Sequence, residues 1–363
     1  MDKHRWRRPL LLACFVLLVA ALLVAVAIWR GTAPPAQPPA NSAAAQELHT
    51  TATFAMDTLV DQQAYGPNAQ DAMRAVNLYL ASYDARLSLF AENGDIAAIN
   101  AAAGNGDWVT VAPETAALLG RALALSAQSE GAFAITVAPL TLAWGITTDT
   151  PRVPGQDEID RLLPLVDDAA VETGESRVRL PEAGMALDLG GIAKGAVCTD
   201  VAAIYDEYGV DSAWISIGGN IYARGKKPDG SAWRIGFRDP ASDGYVASFL
   251  LTDRVIAVSG GYERYFEVDG QRYIHIIDPA TGHPAESDIA SVGAICADGA
   301  EADFWSTTLY VWGRERALQQ MRNGLCAILL DDEGVLYVSE SLRDGFALYD
   351  EASGIDVVYV PGS

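Results

Sequence analysis

Positive charge is scarce in this chain. Lys and Arg number 25 against 47 Asp and Glu, for a net charge of −22. Residues 1–30 carry a net +4, so the remainder carries −26. A domain this acidic does not bind nucleic acid by neutralising phosphates. If it binds a polyphosphate, a divalent cation has to mediate the contact. Cysteine is equally sparse: Cys14, Cys198, Cys296 and Cys326 show no C-x-x-C spacing. That indicates neither a disulfide framework nor a zinc site, and buried free thiols are the default. Only four histidines occur, and Ser259 has no G-x-S-x-G context, so a serine-hydrolase constellation is not demanded.

One long apolar run is present. "LLLACFVLLVAALLVAVAIW", Leu10 to Trp29, is uncharged and about the roughly 20 residues that a helix needs to cross a bilayer. Lys3, Arg5, Arg7 and Arg8 precede it and only Arg30 follows closely, which keeps the N-terminus cytoplasmic and places the rest outside the cytoplasmic membrane. A cleaved signal has a shorter apolar core, of about 7–15 residues. "LLAC", ending at Cys14, is similar to a lipobox, but most of the apolar run follows the cysteine instead of preceding it. The reading is a tail over 1–8, an uncleaved single-pass anchor over 9–29 and a Pro/Ala-rich spacer over 30–47. One folded domain then spans 48–360.

Within that domain, "ELHTTATFAMDTLVDQQAYG" alternates as an opening strand pair. "NAQDAMRAVNLYLASYDARLSLF" carries apolar residues at helical spacing. "APETAALLGRALALSAQSEGAF" reads as a second helix, opened by Pro113 and stopped at Gly131. A short helix is predicted around Asp157 to Val166. "RVRL" and "MALDLGG" are predicted to pair as a hairpin, followed by a helix from "KGAVCTDVAAIYDEYGV". From Trp214 onward strands dominate, interrupted by the helix "EADFWSTTLYVWG". Strand runs with several helices, and no regular βαβ alternation, predict an α+β domain.

Chemistry concentrates in a few stretches. "LDLGGIAKGAVCTDVA" passes from Asp188 through a glycine pair to Lys194. Glycines admit close backbone approach, and a lysine at a helix start faces whatever anion the helix N-terminus attracts. The string matches neither G-x-x-x-x-G-K-[ST] nor G-x-G-x-x-G, so a plain strand-to-helix turn with a surface lysine stays open. "EADFWSTTLYVWG" sets Asp303 and Thr307 four apart on one helix face, two oxygen donors suited to a hard cation such as magnesium. The competing role for Asp303 is a helix cap. His275, in "YIHIIDPATGHP", is either a site residue or a packed strand histidine.

The order of these stretches is more specific than any one of them. "FAMDTLV", "LSLFAENGDIAAIN", "GAFAITVAPLTLAWGI", "LDLGGIAKGAVCTDVA", "WISIGGNIYARG", "VSGGYERYF", "HIIDPATGHP" and "EADFWSTTLYVWG" follow one another from Phe54 to Gly313. Together they resemble the ApbE family of FAD:protein FMN transferases over nearly the whole domain. The resemblance implies a single α+β unit with FAD in a cleft between its strand-rich and helical parts. It also implies Mg²⁺-dependent transfer of FMN from FAD, with loss of AMP, to a Thr or Ser of a target flavoprotein subunit. By the same resemblance Met56, Phe90, Ala132, Phe133, Ala134, Asp188, Lys194 and Ile274 contact FAD. Gly191, through its carbonyl, Asp303 and Thr307 hold the metal, and His275 is the candidate general base.

Three departures accompany the likeness. Met56-Asp57-Thr58 stands where the family usually has Met-Gly-Thr, Phe90 where it has Tyr, and Ala134 where Phe-Asp-Pro-Thr-Val has its acid. Two rival functions remain at this stage: a Mg²⁺-dependent FAD pyrophosphatase, and a flavin-binding module without turnover.

Overall fold

The computed structural model describes residues 47–352 and 354–362. The expected anchor, its spacer and Cys14 lie outside these residues. Among the described residues no helix is long and apolar enough to cross a membrane. They form one mixed α+β unit.

Its spine is a nine-stranded sheet. The spatial order is Leu48–Ala55, Thr58–Tyr65, Ala213–Ile217, Asn220–Arg224, Arg254–Gly260, Ile289–Cys296, Ala327–Asp331, Val335–Ser339 and Asp356–Val360. Every neighbouring pair is antiparallel except the last, which is parallel. Strand alternation sorts the side chains to two faces. Val60, Ile215, Tyr222, Val255 and Ala257 pack into one core with residues of the helices α1 (Ala69–Leu87), α2 (Pro113–Ser126), α3 (Ala193–Glu207) and α4 (Gly299–Trp312). On the other face Ala223, Ile256, Ile328 and Leu330 pack against Trp233, Ile235, Phe237 and Phe249. Three of these four come from Trp233–Arg238 and one from Tyr245–Leu251, two strands of a three-stranded sheet.

The expected opening strand pair is present, with Ala55 opposite Thr58 across a two-residue turn. The second predicted helix stops at Ser126, short of Gly131. The Ser126 and Ser129 hydroxyls turn the chain there, both donating to the Phe133 carbonyl. The helix expected around Asp157 to Val166 runs from Gln156 to Leu162 and continues as a 3₁₀ turn to Leu165. The hairpin expected between "RVRL" and "MALDLGG" is replaced by another pairing, in which Arg177–Arg179 lies between Glu172–Gly174 and Val109–Thr110. The segment around Leu187 is not a strand. Its backbone is fixed by Asn100, which donates to the Leu187 carbonyl and accepts from the Leu187 N–H, and by Asp188 N–H donating to Ile135. A side-chain amide thus does the work of a strand neighbour, and alternation alone does not reveal that. Cys198 and Cys296 are buried free thiols, as expected, while Cys326 is half-buried.

Candidate functional site

A cleft of about 700 Å³ is lined by residues of the large sheet, of α3 and α4, and of the three-stranded sheet. That is ample for a cofactor-sized ligand. Met56, Phe90, Ala132, Phe133, Ala134, Asp188, Gly191, Lys194, His275, Asp303 and Thr307 all line it. These residues come from six separate stretches of chain. Ile274 does not line it: its side chain is 8% exposed and packs in the core beside Gly261, while its neighbour His275 faces the cleft.

The geometry begins at a close helix crossing. A Cβ on Gly195 would fall on the Gly299 carbonyl oxygen, and one on Gly299 would fall on the Gly195 carbonyl oxygen. Two glycines therefore let α3 and α4 touch backbone to backbone. That contact places Asp303, only 4% exposed, so that its Oδ2 accepts the Gly195 N–H at 2.8 Å. The alternative of Asp303 as a helix cap is excluded. The cap is Asp298, whose Oδ1 accepts from Glu301 N–H at 2.9 Å, and Asp303 sits one turn further in. Thr307 follows on the same face, its hydroxyl 3.5 Å from that of Ser259. A Cβ on Gly191 would stand 3.6 Å from the Thr307 hydroxyl and 3.0 Å from the Phe133 ring, so the backbone at Gly191 lies against both.

These donors are a buried carboxylate, a hydroxyl and a backbone carbonyl. All are oxygen, and they suit a hard cation that takes its remaining ligands from phosphates and water. Among the described residues no cluster of three or more His, Cys, Asp or Glu competes for a metal. The residues present fit magnesium and do not fit zinc.

Beside this cradle, Asp188 folds an Asx turn by accepting Gly190 N–H at 2.8 Å. Lys194, the second residue of α3, donates to the Gly190 carbonyl at 3.1 Å, which lays its ammonium across the cleft floor. Ala134 no longer supplies an acid in its loop. The Asp168 carboxylate instead accepts the Ile135 and Thr136 N–H groups at 3.0 and 2.9 Å, together with the Thr136 hydroxyl at 2.6 Å. A carboxylate from a distant stretch thus pins the loop backbone. Phe133 is held edge-on against Phe304. Phe90 remains 47% exposed at the mouth, where a flat ring is free to stack.

His275 is partly buried in the cleft wall. Burial first, and the Lys194 charge second, pull it from 6.5 down to about 4, against the opposing hydrogen bond to Arg264. Its Nδ1 lies 3.2 Å from the Arg264 carbonyl oxygen. A carbonyl only accepts, so Nδ1 carries the hydrogen and Nε2 keeps a free lone pair. The imidazole is neutral at neutral pH.

Several lining residues are not among the candidates named from the sequence, although Arg264, Tyr262 and Glu263 lie within the "VSGGYERYF" stretch. Arg264 reaches across the cleft to the Asp57 carbonyl at 2.7 Å, tying two stretches 207 residues apart. Tyr262, Glu263, Arg238 and Tyr245 also line the space. The glycine pair at Gly260 and Gly261 immediately precedes the first two in that stretch. A Cβ at Gly260 would strike the Tyr262 ring, so the glycine marks a ring packed flat on the backbone.

A cleft with an oxygen-only cation cradle, a lysine on a helix start and a neutral histidine defines a protein that handles a phosphate-bearing ligand. The comparisons narrow the class. The ApbE family model matches residues 56–329, and the chain belongs to that family. A Treponema pallidum protein named FAD:protein FMN transferase is 33% identical over 310 residues, covering 80% of this chain and 83% of that one. Among solved structures, the Thermotoga maritima ApbE protein superposes with a TM-score of 0.76 at 30% identity, over 82% of this chain and 99% of the other. The apo flavinyl transferase ApbE of Pseudomonas stutzeri gives 0.73 at 29% identity, over 82% and 96%.

Proposed function

We propose that this protein is a Mg²⁺-dependent FAD:protein FMN transferase acting on a Thr or Ser hydroxyl of a target flavoprotein. The observation that supports it most is the convergence of Gly191, Asp303 and Thr307 with Lys194 in one cleft. FAD enters as substrate. In the reaction the pyrophosphate P–O bond breaks between the FMN phosphorus and the AMP oxygen. A new P–O bond forms from that phosphorus to the acceptor hydroxyl, whose proton passes to His275 Nε2, and AMP departs. Gly191, Asp303 and Thr307 would hold the magnesium ion, which would supply Lewis-acid stabilisation of the charge on the leaving phosphate. Lys194 adds a point charge on the phosphates. Asp188 shapes the turn that presents them to the α3 N-terminus. Met56, Phe90 and the 132–134 loop hold the remainder of the nucleotide. The domain acts on the extracytoplasmic side, tethered to the cytoplasmic membrane through residues 9–29.

The test incubates the full-length protein with FAD, Mg²⁺ and membranes that contain candidate acceptors. Flavin fluorescence on a denaturing gel, together with AMP release, supports transfer. Free FMN with no labelled protein would mean a pyrophosphatase, and unchanged FAD would mean a binding module.

A further inference from the structure

His275 stands at the base of a two-stranded ribbon that belongs to none of the larger sheets. The ribbon strands, Tyr265–Val268 and Gln271–Ile274, pair antiparallel with Tyr265 opposite Ile274. The next rung sets Arg264 opposite His275. There the Arg264 carbonyl accepts the His275 main-chain N–H at 3.0 Å and lies 3.2 Å from Nδ1 of the same residue. One carbonyl thus fixes both the backbone and the ring of the candidate base. A ribbon of two strands is marginally stable by itself. Phe266 stacks on Tyr273, and Tyr273 packs against Trp144. These contacts tie the ribbon to the helix Ala138–Trp144, not to the turn that carries Met56.

The Arg264 side chain makes that second connection. Its guanidinium donates to the Asp57 carbonyl at 2.7 Å. From the other side Asp84 of α1 holds the same turn, its Oδ2 accepting the Met56 N–H at 3.1 Å. Among the described residues no main-chain hydrogen bond joins the ribbon to the Met56–Asp57 turn, so the guanidinium is the bridge.

We propose that Arg264 is a positioning residue for the transfer. Its main chain orients His275, and its side chain sets the distance between that histidine and the Met56–Asp57 turn. The proposal rests on the transferase reading above. In that reading FAD leans on the turn through Met56, and the acceptor proton leaves toward His275 Nε2. The two have to keep a fixed separation while the phosphorus changes partners, and a displacement of about 1 Å costs on the order of 100-fold in rate. The tie is a single donor on a neutral carbonyl. It calls for reach and a positive end, and not for the bidentate fork that arginine offers a carboxylate.

The experiment uses the full-length protein in detergent with FAD, Mg²⁺ and, as acceptor, the membrane protein that the wild type labels with flavin. Arg264→Met removes the tie, and Arg264→Lys keeps a donor at the end of a similar stem. Arg272→Met is the control. It removes the same charge from the same ribbon, where Arg272 lies over the Tyr265 ring and pairs with Glu267 on the surface. Thermal melts verify folding. Arg264→Met is expected to lower kcat about ten- to a hundredfold, with the Kd for FAD, read by fluorescence quenching, within about twofold of wild type. Arg264→Lys is expected to fall between the two, and Arg272→Met to match wild type. Should Arg264→Met not fold, Arg264→Lys decides alone, through a lowered kcat at unchanged FAD affinity. An unchanged kcat would overturn the proposal, and so would equal losses in the Met and Lys variants. A Kd for FAD that rises as far as kcat falls would also overturn it, by making Arg264 a nucleotide-binding residue. If the wild type releases no AMP and labels no protein, the transferase reading itself falls and this proposal falls with it.

Discussion

The helix-covered face of the large sheet and the face beneath the small sheet both line one cleft but are built from different materials. On the helix side the working groups are held by backbone. Gly195 and Gly299 bring two helices into contact, a main-chain N–H fixes Asp303, and a main-chain carbonyl holds Lys194. On the other side the cleft is lined by side chains that project from regular strands, apolar ones such as Ile221, Ile235 and Val258 together with Asp61, Ser216 and Arg238. Backbone-held groups barely move when charge develops on a ligand, which is what phosphoryl chemistry requires. A wall of side chains is more readily altered by substitution than a backbone contact is. The two faces thus hold their lining groups in different ways.

The sharpest way to break that contrast is Asp303→Asn. Asparagine still offers an oxygen to Gly195 N–H, so the helix crossing survives, while the anionic ligand for magnesium is lost. Turnover should fall on the order of a thousandfold, equivalent to several kcal/mol of electrostatic stabilisation. Thermal melting should move little. Wild-type turnover at limiting Mg²⁺ would remove Asp303 from the metal site.

Next in size is Lys194→Met against Lys226→Met. Lys194 lies over the Gly190 carbonyl in the cleft, whereas Lys226 is exposed in a turn. A charge-assisted contact to phosphate contributes about 1.5–3 kcal/mol, or roughly 10- to 150-fold in kcat/KM. Both variants remove one positive charge, so overall acidity cancels. Equal kinetics would reduce "GGIAKG" to a turn.

The contrast between faces also explains what was legible in the sequence. Gly191, Lys194, Asp303 and Thr307 sit on a tight turn and on helix positions where composition is constrained, and their order along the chain resembled one family. That Asp298 and not Asp303 caps the helix was not legible, since both are acids near one helix start and only their hydrogen bonds to Glu301 and Gly195 separate them. Asn100 and Asp168 were invisible as well. Each holds a backbone segment at least 30 residues distant in sequence, Leu187 for one and Ile135 for the other. The apolar wall of Ile221, Val258 and Ile235 looks like any strand core, because alternation marks burial without distinguishing a filled interior from a groove.

A third prediction concerns pH. His275 stays neutral down to about 4, held there by burial and Lys194. The neutral form is the one able to accept a proton. The rate should therefore be flat from pH 8 to 5, halve near 4, and fall about tenfold per unit below that. Stability follows the same sign. The unfolded chain takes up the proton near 6.5 and the folded one near 4, so this group's contribution is lost as pH falls between those values. A rate half-lost at pH 6.5 would show that the imidazole titrates as an ordinary exposed histidine.

The smallest effect is expected at the turn that closes the opening strand pair. Met56 and Asp57 both have φ of +54°, closing the opening strand pair through a two-residue turn with both central residues left-handed. Such turns favour glycine at the second position, because a Cβ crowds the backbone there. Aspartate tolerates that conformation better than most residues but still pays for it. Asp57→Gly should relieve the strain, and the gain is partly offset by the greater freedom that glycine has in the unfolded chain. The net expectation is a stabilisation of about 0.5–1 kcal/mol, read as a higher denaturant midpoint at constant slope. The Arg264 tie across the cleft is to the Asp57 carbonyl, so it is retained in the variant. Removing a carboxylate from the mouth of a site for an anionic nucleotide should also lower the KM for FAD, by less than about threefold for so exposed a charge. If the variant is instead less stable than wild type, the Asp57 side chain carries a structural contact that outweighs its backbone strain.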